Sequence, residues 1–228
     1  MTVEREGRSI ASGSGVVVAS WGGPGGGAVS YVLTAAHILN GKDGSEIFVR
    51  FTGLNAVRGR FAASVARRDN PERLDLALLR VAGIAVAPAS LANADQVRLG
   101  EEILVVGYPW GKRLGLFGGI VSQVPVDRPE EAGPDENQDR TITVDAVVSS
   151  GVSGGGVFRA ATGGLVGLVE GYRTASIAVK TRTQTYSMNV PMPGETFVVP
   201  IVRIRRFLNA AGLDEAPEQP GRAEGQKN

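Results

Sequence analysis

Ser153 lies in the segment SSGVSGGGVF, residues 149–158, with a glycine two positions before it and three consecutive glycines after it. Glycine allows backbone conformations that are closed to other residues and lets another segment approach closely. Two interpretations are open for this segment. It is either a flexible surface turn, or a tight turn that presents a nucleophilic hydroxyl together with exposed backbone amides.

A serine nucleophile needs a base, because its hydroxyl is weakly nucleophilic until a neighbouring group, usually a histidine, accepts the proton. The chain contains a single histidine, His37, at the end of the apolar run YVLTAAH. Any histidine chemistry in this protein therefore belongs to His37. The alternative is a structural histidine packed at the end of a strand.

The order of the candidate residues along the chain distinguishes between two known arrangements of a catalytic serine. Residues 151–155 fit the pattern G-x-S-x-G, but in the α/β-hydrolases that use it a histidine follows the serine, and here none does. The order histidine, aspartate, serine is that of the chymotrypsin fold. Asp75 in LDLALL is a carboxylate within an apolar strand pattern, which is costly to bury unless a partner such as an imidazole holds it. A strand-end aspartate bonded to backbone is the alternative.

The elements that must position these residues are predicted to be β-strands. Glycine accounts for 32 of 228 residues, and the apolar runs are short and rich in β-branched residues. Many short strands between glycine, proline and asparagine turns indicate a sandwich or barrel. Residues 87–99 carry little strand signal, so they divide the predicted strands into two sets of about six, one within residues 1–90 and the other within residues 91–213. The last runs predict separate strands over residues 165–170, 176–180, 184–190 and 196–201.

One helix is predicted near the end of the chain. Apolar residues recur at helical spacing from Ile201 to Ala211, and Gly212 is a suitable stop, so the helix is expected over residues 201–211. Residues 214–228 contain no large apolar residue, which predicts a disordered tail.

The composition excludes several classes of function. A net charge of +1 gives no electrostatic basis for nucleic-acid binding, and no apolar run is long enough for a membrane span. The absence of cysteine excludes disulfides, zinc–thiolate sites and a cysteine nucleophile. We expect neither a metal nor a cofactor. Because MTVEREGRS is not a secretory leader, a cytoplasmic location is expected, with export and removal of a leader as the alternative.

An acidic segment lies between residues 124 and 140 and contains six aspartate and glutamate residues. Their spacing matches no recognised calcium loop. A solvated insertion is therefore the favoured interpretation, and a calcium site is the alternative.

Taken together, the motifs resemble the trypsin-like serine peptidases of chymotrypsin fold, and most closely the bacterial HtrA/Deg protease domain. The similarity covers about residues 12–207 and is carried by seven segments: SGSGVVV, YVLTAAHIL, LDLALLRV, LGEEILVVGYPWG, GGIVS, VDAVVSSGVSGGGVF and FVVPI. Each segment alone is a weak signal, whereas their joint occurrence in this order is specific.

The resemblance implies a fold, a site and an activity. The fold would be all-β, with two six-stranded antiparallel β-barrels and a C-terminal helix. Ser153 would be the nucleophile, His37 the general base and Asp75 the residue that orients it. The backbone amides of Gly151 and Ser153 would form the oxyanion hole. The activity would be that of a serine endopeptidase acting on polypeptides through an acyl-enzyme, and the alternative is a catalytically silent module that binds peptides or a partner protein.

The resemblance also predicts the residues that contact substrate. Val147 and Val148 would lie at the base of the primary pocket, which therefore would favour small or medium apolar residues before the scissile bond. Glu170 and Gly171 would lie beside it. Glu170 occupies a position where relatives often carry a serine or threonine that steadies the catalytic aspartate. A second carboxylate there would repel Asp75 unless it pointed away, and within the pocket it would invite a basic residue.

Departures from the family pattern carry further expectations. Residues after Phe207 are too few for the companion PDZ domain, and no aromatic residue precedes Trp21 to serve as the N-terminal segment used in trimer contacts. We therefore expect a monomer. Val152 stands where relatives carry an acid or asparagine, so activation by N-terminal cleavage is not expected.

Overall fold

The computed structural model describes residues 1–23, 26–52, 59–70, 74–93, 97–125, 141–180 and 184–213. The acidic segment predicted over residues 124–140 is described only at Val124 and Pro125, and the predicted tail at residues 214–228 lies outside the described residues. Within the described part the chain forms antiparallel strands and one α-helix, so the prediction of an all-β fold with a C-terminal helix is confirmed. The strands are β1 Thr2–Arg5, β2 Arg8–Ser12, β3 Val16–Gly23, β4 Gly26–Ala35, β5 Glu46–Val49, β6 Phe61–Arg68, β7 Leu76–Ala82, β8 Glu102–Gly107, β9 Gly115–Gln123, β10 Ile142–Val144, β11 Gly156–Arg159, β12 Leu165–Lys180 and β13 Thr185–Pro200.

The first unit is a seven-stranded antiparallel sheet in the order β2-β1-β5-β6-β7-β4-β3, where a six-stranded barrel was predicted. The extra strand comes from the β1–β2 hairpin, which turns at Glu6 and Gly7, both with positive φ (51° and 74°). Two consecutive positive φ values are those of a type I′ turn. The hairpin is missed from sequence because its strands are short, with four and five residues, and its turn is Glu-Gly rather than the common Asn-Gly.

The second unit is a closed six-stranded barrel in the order β10-β13-β12-β11-β8-β9, as predicted. Strands β12 and β13 contain 16 residues each and pair from Gly167 opposite Pro200 to Lys180 opposite Thr185, with residues 192–195 left out of the register, so the four short runs predicted there are two long strands. The register of this pair shifts between Val169 and Gly171 and again between Tyr172 and Thr174. These β-bulges interrupt the alternating pattern and explain why the sequence suggested separate strands.

Three apolar clusters hold the fold together. One lies within the sheet, one within the barrel, and the third joins both units to the terminal helix. In this third cluster Leu33 and Leu76 of the sheet pack with Leu168 of the barrel and Phe207 of the helix. Each fully buried side chain of this size contributes about 1.5–3 kcal/mol. The contact between the two units is therefore a true core, which can hold residues from both in fixed geometry.

Helix α1 spans Ile201–Asn209, slightly shorter than the predicted 201–211. The chain leaves it through Gly212, whose φ is 73°. The Gly212 amide donates to the Asn209 carbonyl at 2.9 Å and the Leu213 amide to the Leu208 carbonyl at 3.0 Å. These two bonds form a Schellman motif, in which glycine takes the left-handed position. Among the described residues, α1 is too short and too polar to cross a membrane, and no longer helix occurs.

Candidate active site

His37 and Asp75 are brought together by the pairing of β4 with β7. These strands are antiparallel, and Ala35 at the end of β4 lies opposite Leu76 at the start of β7. His37 follows Ala35 in a 3₁₀ turn, Ala36–Leu39, and Asp75 immediately precedes Leu76. The Asp75 carbonyl also accepts a hydrogen bond from the Ala36 amide at 3.1 Å. Strand register alone therefore places the histidine beside the aspartate.

The Asp75 carboxylate is bonded to His37 through both of its oxygens. Oδ1 accepts from the His37 backbone amide and Oδ2 lies beside His37 Nδ1, both at 2.7 Å. The Asp75 residue is only 3% exposed, and its φ of 45° is unusual for a residue with a side chain. A carboxylate at Nδ1 favours the proton on that nitrogen, which leaves Nε2 as the basic atom. The hydrogen bond to Asp75 raises the pKa of His37 above its ordinary value, although burial opposes this.

The Ser153 turn depends on glycine at positions where no side chain fits. Gly151 and Gly154 have φ values of 91° and 80°. A Cβ atom on Gly154 would lie 2.3 Å from the Ser14 carbonyl oxygen, and one on Gly151 would lie 2.6 Å from the Tyr108 carbonyl oxygen. Both contacts are with backbone, which cannot move aside easily. The glycines beside Ser153 therefore serve a fixed, close-packed turn, and the interpretation as a flexible surface turn is wrong.

Strand β12 holds this turn from one side. The Gly154 amide donates to the Val169 carbonyl, and the Val169 amide donates to the Gly155 carbonyl, each at 2.8 Å. A further bond from the Gly155 amide to the Val152 carbonyl at 2.7 Å closes the turn itself.

Ser14 holds the turn from the other side. Its hydroxyl donates to the Gly151 carbonyl at 2.8 Å and accepts from the Tyr108 amide at 2.8 Å. Its own amide donates to the Ser153 carbonyl at 2.8 Å. A Cβ atom on the neighbouring Gly13 would lie 3.2 Å from the Ser153 carbonyl oxygen, a tight contact with backbone. The Gly-Ser-Gly sequence at residues 13–15 therefore marks a point where the sheet touches the serine turn.

The peptide between Ser150 and Gly151 has a defined orientation. The Trp110 amide donates to the Ser150 carbonyl at 2.7 Å, with Trp110 itself at a φ of 56°. Because the carbonyl and amide of one peptide point in opposite directions, this bond directs the Gly151 amide away from Trp110. Within the part of the chain that the structure describes, the amides of Gly151 and Ser153 donate to no protein acceptor. Both remain available to a ligand.

A cleft of about 400 Å³ brings the candidate residues together. Its walls contain the three predicted catalytic residues and two of the predicted substrate-binding residues. The lining residues are His37, Asp75, Ser153, Glu170, Gly171, Tyr172, Thr174 and Phe197.

The two valines expected at the base of the pocket are not among these lining residues. Residues 145–148 alternate between exposed and buried positions. Val147 is consequently 62% exposed, and Val148 is buried within the barrel core. The expectation that Val147 is buried is therefore wrong, because the alternation directs its side chain outwards; contact of Val147 or Val148 with substrate stays a prediction.

Of the two placements left open for Glu170, pointing away from Asp75 or lying in the pocket, the structure has the second. Glu170 lines the cleft. Burial, followed by the charge of Asp75, raises the pKa of Glu170 to about 7, although Arg203 and His37 act in the opposite direction. The repulsion expected between two carboxylates is thus relieved by protonation near neutral pH.

Five residues of the site were not singled out from sequence: Ser14, Trp110, Tyr172, Thr174 and Phe197. For Ser14 a signal existed, since glycines on both sides of a serine indicate close backbone approach. Trp110 acts through its backbone amide, so its side chain carries no signal. Tyr172, Thr174 and Phe197 reach the cleft only because β12 and β13 pair beside it.

Comparison with known families agrees with this geometry. The profile described as "Trypsin-like peptidase domain" matches residues 13–168, which include His37, Asp75 and Ser153. The chain belongs to the trypsin-like peptidase family. The resemblance inferred from the sequence motifs is confirmed.

Curated relatives of this trypsin-like peptidase are named as probable periplasmic serine endoproteases of DegP-like type. The relative from Pseudomonas savastanoi pv. phaseolicola is 27% identical over 212 residues, covering 92% of this chain and 36% of its own. The relative from Ectopseudomonas mendocina is 30% identical over 155 residues, covering 68% of this chain and 28% of its own. The chain thus spans about a third of the length of the curated relatives it matches.

Solved structures show the same fold. The serine endoprotease from Yersinia pestis superposes with a TM-score of 0.62 at 20% identity, covering 92% of this chain and 61% of that one. The HtrA-type protease AlgW, solved with a decapeptide, gives a TM-score of 0.61 at 24% identity, covering 90% of this chain and 53% of that one. These likenesses establish the chymotrypsin-like fold of the peptidase domain.

Proposed function

We propose that this trypsin-like peptidase is a serine endopeptidase in which Ser153 is the nucleophile, His37 the general base and Asp75 the residue that orients His37. The observation that carries the proposal is the pair of 2.7 Å contacts from Asp75 to the His37 amide and ring, within the cleft that Ser153 lines. A buried carboxylate that holds an imidazole beside a serine is the arrangement that activates a hydroxyl.

The acylation step uses the basic Nε2 of His37. As Ser153 Oγ attacks the carbonyl carbon of the scissile bond, Nε2 accepts its proton and the carbonyl oxygen gains the negative charge. The ionised Asp75 stabilises the imidazolium and keeps its ring in place. The imidazolium then gives its proton to the leaving amine, the C–N bond breaks, and an ester remains on Ser153. A water molecule, deprotonated by His37, hydrolyses that ester.

The developing oxyanion would be bound by the amides of Gly151 and Ser153. Each such donor lowers the barrier by roughly 3–4 kcal/mol when it is held in place before the reaction. Two features support this role: the Ser150 carbonyl is bonded to the Trp110 amide, and the Gly151 carbonyl is bonded to Ser14. Both peptides around Gly151 are therefore held without a substrate.

The preferred residue before the scissile bond is proposed to be small or medium and apolar. The support is no longer Val147 but the cleft wall itself, which presents Gly171, Tyr172 and Phe197. Glu170 in the same wall holds its proton up to about pH 7, so it offers a basic side chain less than a full charge. Discrimination among similar apolar residues amounts to only about 10–200-fold per methylene, so a mixed preference is expected.

The setting of this activity is also proposed. The curated relatives are named as periplasmic, which favours export over the cytoplasmic location expected from the sequence. The substrate is a polypeptide. The enzyme is proposed to act as a monomer, without a metal or cofactor.

Digestion of a peptide library by the purified chain tests the proposal. We expect cleavage mainly after Ala, Val, Leu or Met, and loss of all cleavage in Ser153→Ala and in His37→Ala. Folded protein that cleaves nothing would instead support a silent module that binds peptides. Dominant cleavage after Arg or Lys that disappears in Glu170→Gln would contradict the apolar preference and make Glu170 the specificity residue.

A further inference from the structure

Glu170 occupies an irregular point of strand β12. The ladder with β13 passes from Val169 opposite Val198 to Gly171 opposite Phe197, so Glu170 has no partner of its own in the register. An extra residue of this kind is a β-bulge, which redirects a side chain and is common beside active sites. Here it directs the Glu170 side chain into the wall of the catalytic cleft.

The charges around Glu170 come from three parts of the molecule. Asp75 precedes β7, His37 lies in the 3₁₀ turn after β4, and Arg203 lies on α1; all three influence its ionisation. Lys42 adds a smaller effect on His37. Both oxygens of Asp75 are bonded to His37, so Glu170 is a second carboxyl group beside a carboxylate–imidazole pair that is already hydrogen-bonded.

We infer that Glu170 is a positioning residue whose charge sets the basicity of His37. In this role Glu170 acts through the imidazole and not on the scissile bond. The inference rests on the proposed function only in giving His37 the role of base. Titration of the imidazole can be measured whether or not the chain hydrolyses peptides.

The sign of the effect follows from the charges. Burial raises the pKa of Glu170 to about 7, so this group gains and loses its proton in the range where an imidazole ordinarily titrates. The ionised Glu170 stabilises the imidazolium and raises the pKa of His37, whereas the protonated Glu170 does not. In return, the imidazolium lowers the pKa of Glu170. The two groups therefore titrate as a coupled pair.

NMR of the intact chain tests this directly, because His37 is the only histidine and its ring signals need no assignment. In Glu170→Gln the pKa of His37 should fall measurably, because a nearby opposite charge favours the charged imidazole and this variant removes it. The matched control is Glu102→Gln, which removes an exposed carboxylate from β8 and should leave the titration unchanged. An unchanged His37 titration in folded Glu170→Gln would overturn the inference.

A second measurement avoids dependence on that variant. With the glutamate carboxyl carbons labelled, Glu170 in the wild-type chain should titrate near pH 7, and in His37→Gln its pKa should rise because the imidazolium is gone. Titration of Glu170 in the ordinary range near 4.3 would contradict the inference. In an active enzyme, the acid limb of kcat/KM should move to lower pH in Glu170→Gln. A shift of the His37 titration in a chain that hydrolyses nothing would remove the proposed function and leave this inference standing.

Discussion

The seven-stranded sheet and the six-stranded barrel hold their parts of the site by different physical means. The sheet holds His37 through two side-chain contacts with Asp75, both at 2.7 Å. The barrel holds Ser153 through backbone packing, in a turn where a Cβ atom on Gly154 would lie 2.3 Å from the Ser14 carbonyl oxygen. The site is therefore preorganised in two ways. His37 is held by the chemistry of the Asp75 side chain, and Ser153 is held in a turn that requires glycine, a residue without a side chain.

This contrast predicts how each half should fail. A change in the sheet that preserves shape but alters chemistry should abolish activity and leave the fold intact. A change in the barrel that adds a single methyl group should disturb the fold and the activity together. The two halves meet at Ser14, which contributes its amide and hydroxyl to the serine turn from a position between β2 and β3.

The largest effect is expected from Asp75→Asn, which keeps the shape of the buried side chain. The amide favours the wrong imidazole tautomer, and the same change in a trypsin-type triad lowers kcat by about 10⁴-fold. We expect a loss of that order in kcat, with the midpoint of urea unfolding close to that of wild type. Activity within tenfold of wild type would show that Asp75 does not set the tautomer of His37.

A smaller effect, but one on both stability and activity, is expected from Gly154→Ala. The new Cβ would meet backbone and the Thr34 hydroxyl, and the φ of 80° is itself unfavourable for alanine. Overpacking and strained backbone each cost about 1–3 kcal/mol, so the free energy of unfolding should fall by roughly 3 kcal/mol or more.

The matched control is Gly163→Ala, because Gly163 also has a positive φ, 71°, but nothing lies within 4 Å of its Cβ position. Gly163→Ala should lower the free energy of unfolding only by the cost of placing alanine at a positive φ, about 1–2 kcal/mol, and the variant should keep its activity. Equal losses of unfolding free energy in the two variants, measured in urea, would mean that close packing does not hold the serine turn.

The sequence was informative wherever a residue type is required for chemistry or for backbone shape. His37 is unique, Asp75 interrupts an apolar run, and Ser153 lies among glycines, so their types and order were enough to predict that they share a site. The strand-rich architecture and the terminal helix followed from periodicity and from the position of Gly212, whereas the barrel followed from the resemblance to a known family.

The sequence was least informative where position depends on register. Side chains in residues 145–148 alternate between the two faces of the chain, so the direction of Val147 depends on which alternate residues are buried. A shift of the register by one residue would exchange the buried and exposed side chains. Likewise, the bulge after Val169 that directs Glu170 into the cleft has no sequence signal beyond the neighbouring Gly171. The seventh strand depended on a Glu-Gly turn that propensity alone does not favour.

The most direct test of the proposed triad is labelling with a fluorophosphonate probe, which reacts only with an activated serine beside a working oxyanion hole. The wild-type chain should be labelled rapidly at Ser153. Labelling should be lost in Ser153→Ala and should be slower by orders of magnitude in His37→Ala, since no second histidine exists to replace the base. Folded wild-type protein that is not labelled, or labelling that survives in His37→Ala at the wild-type rate, would contradict the account.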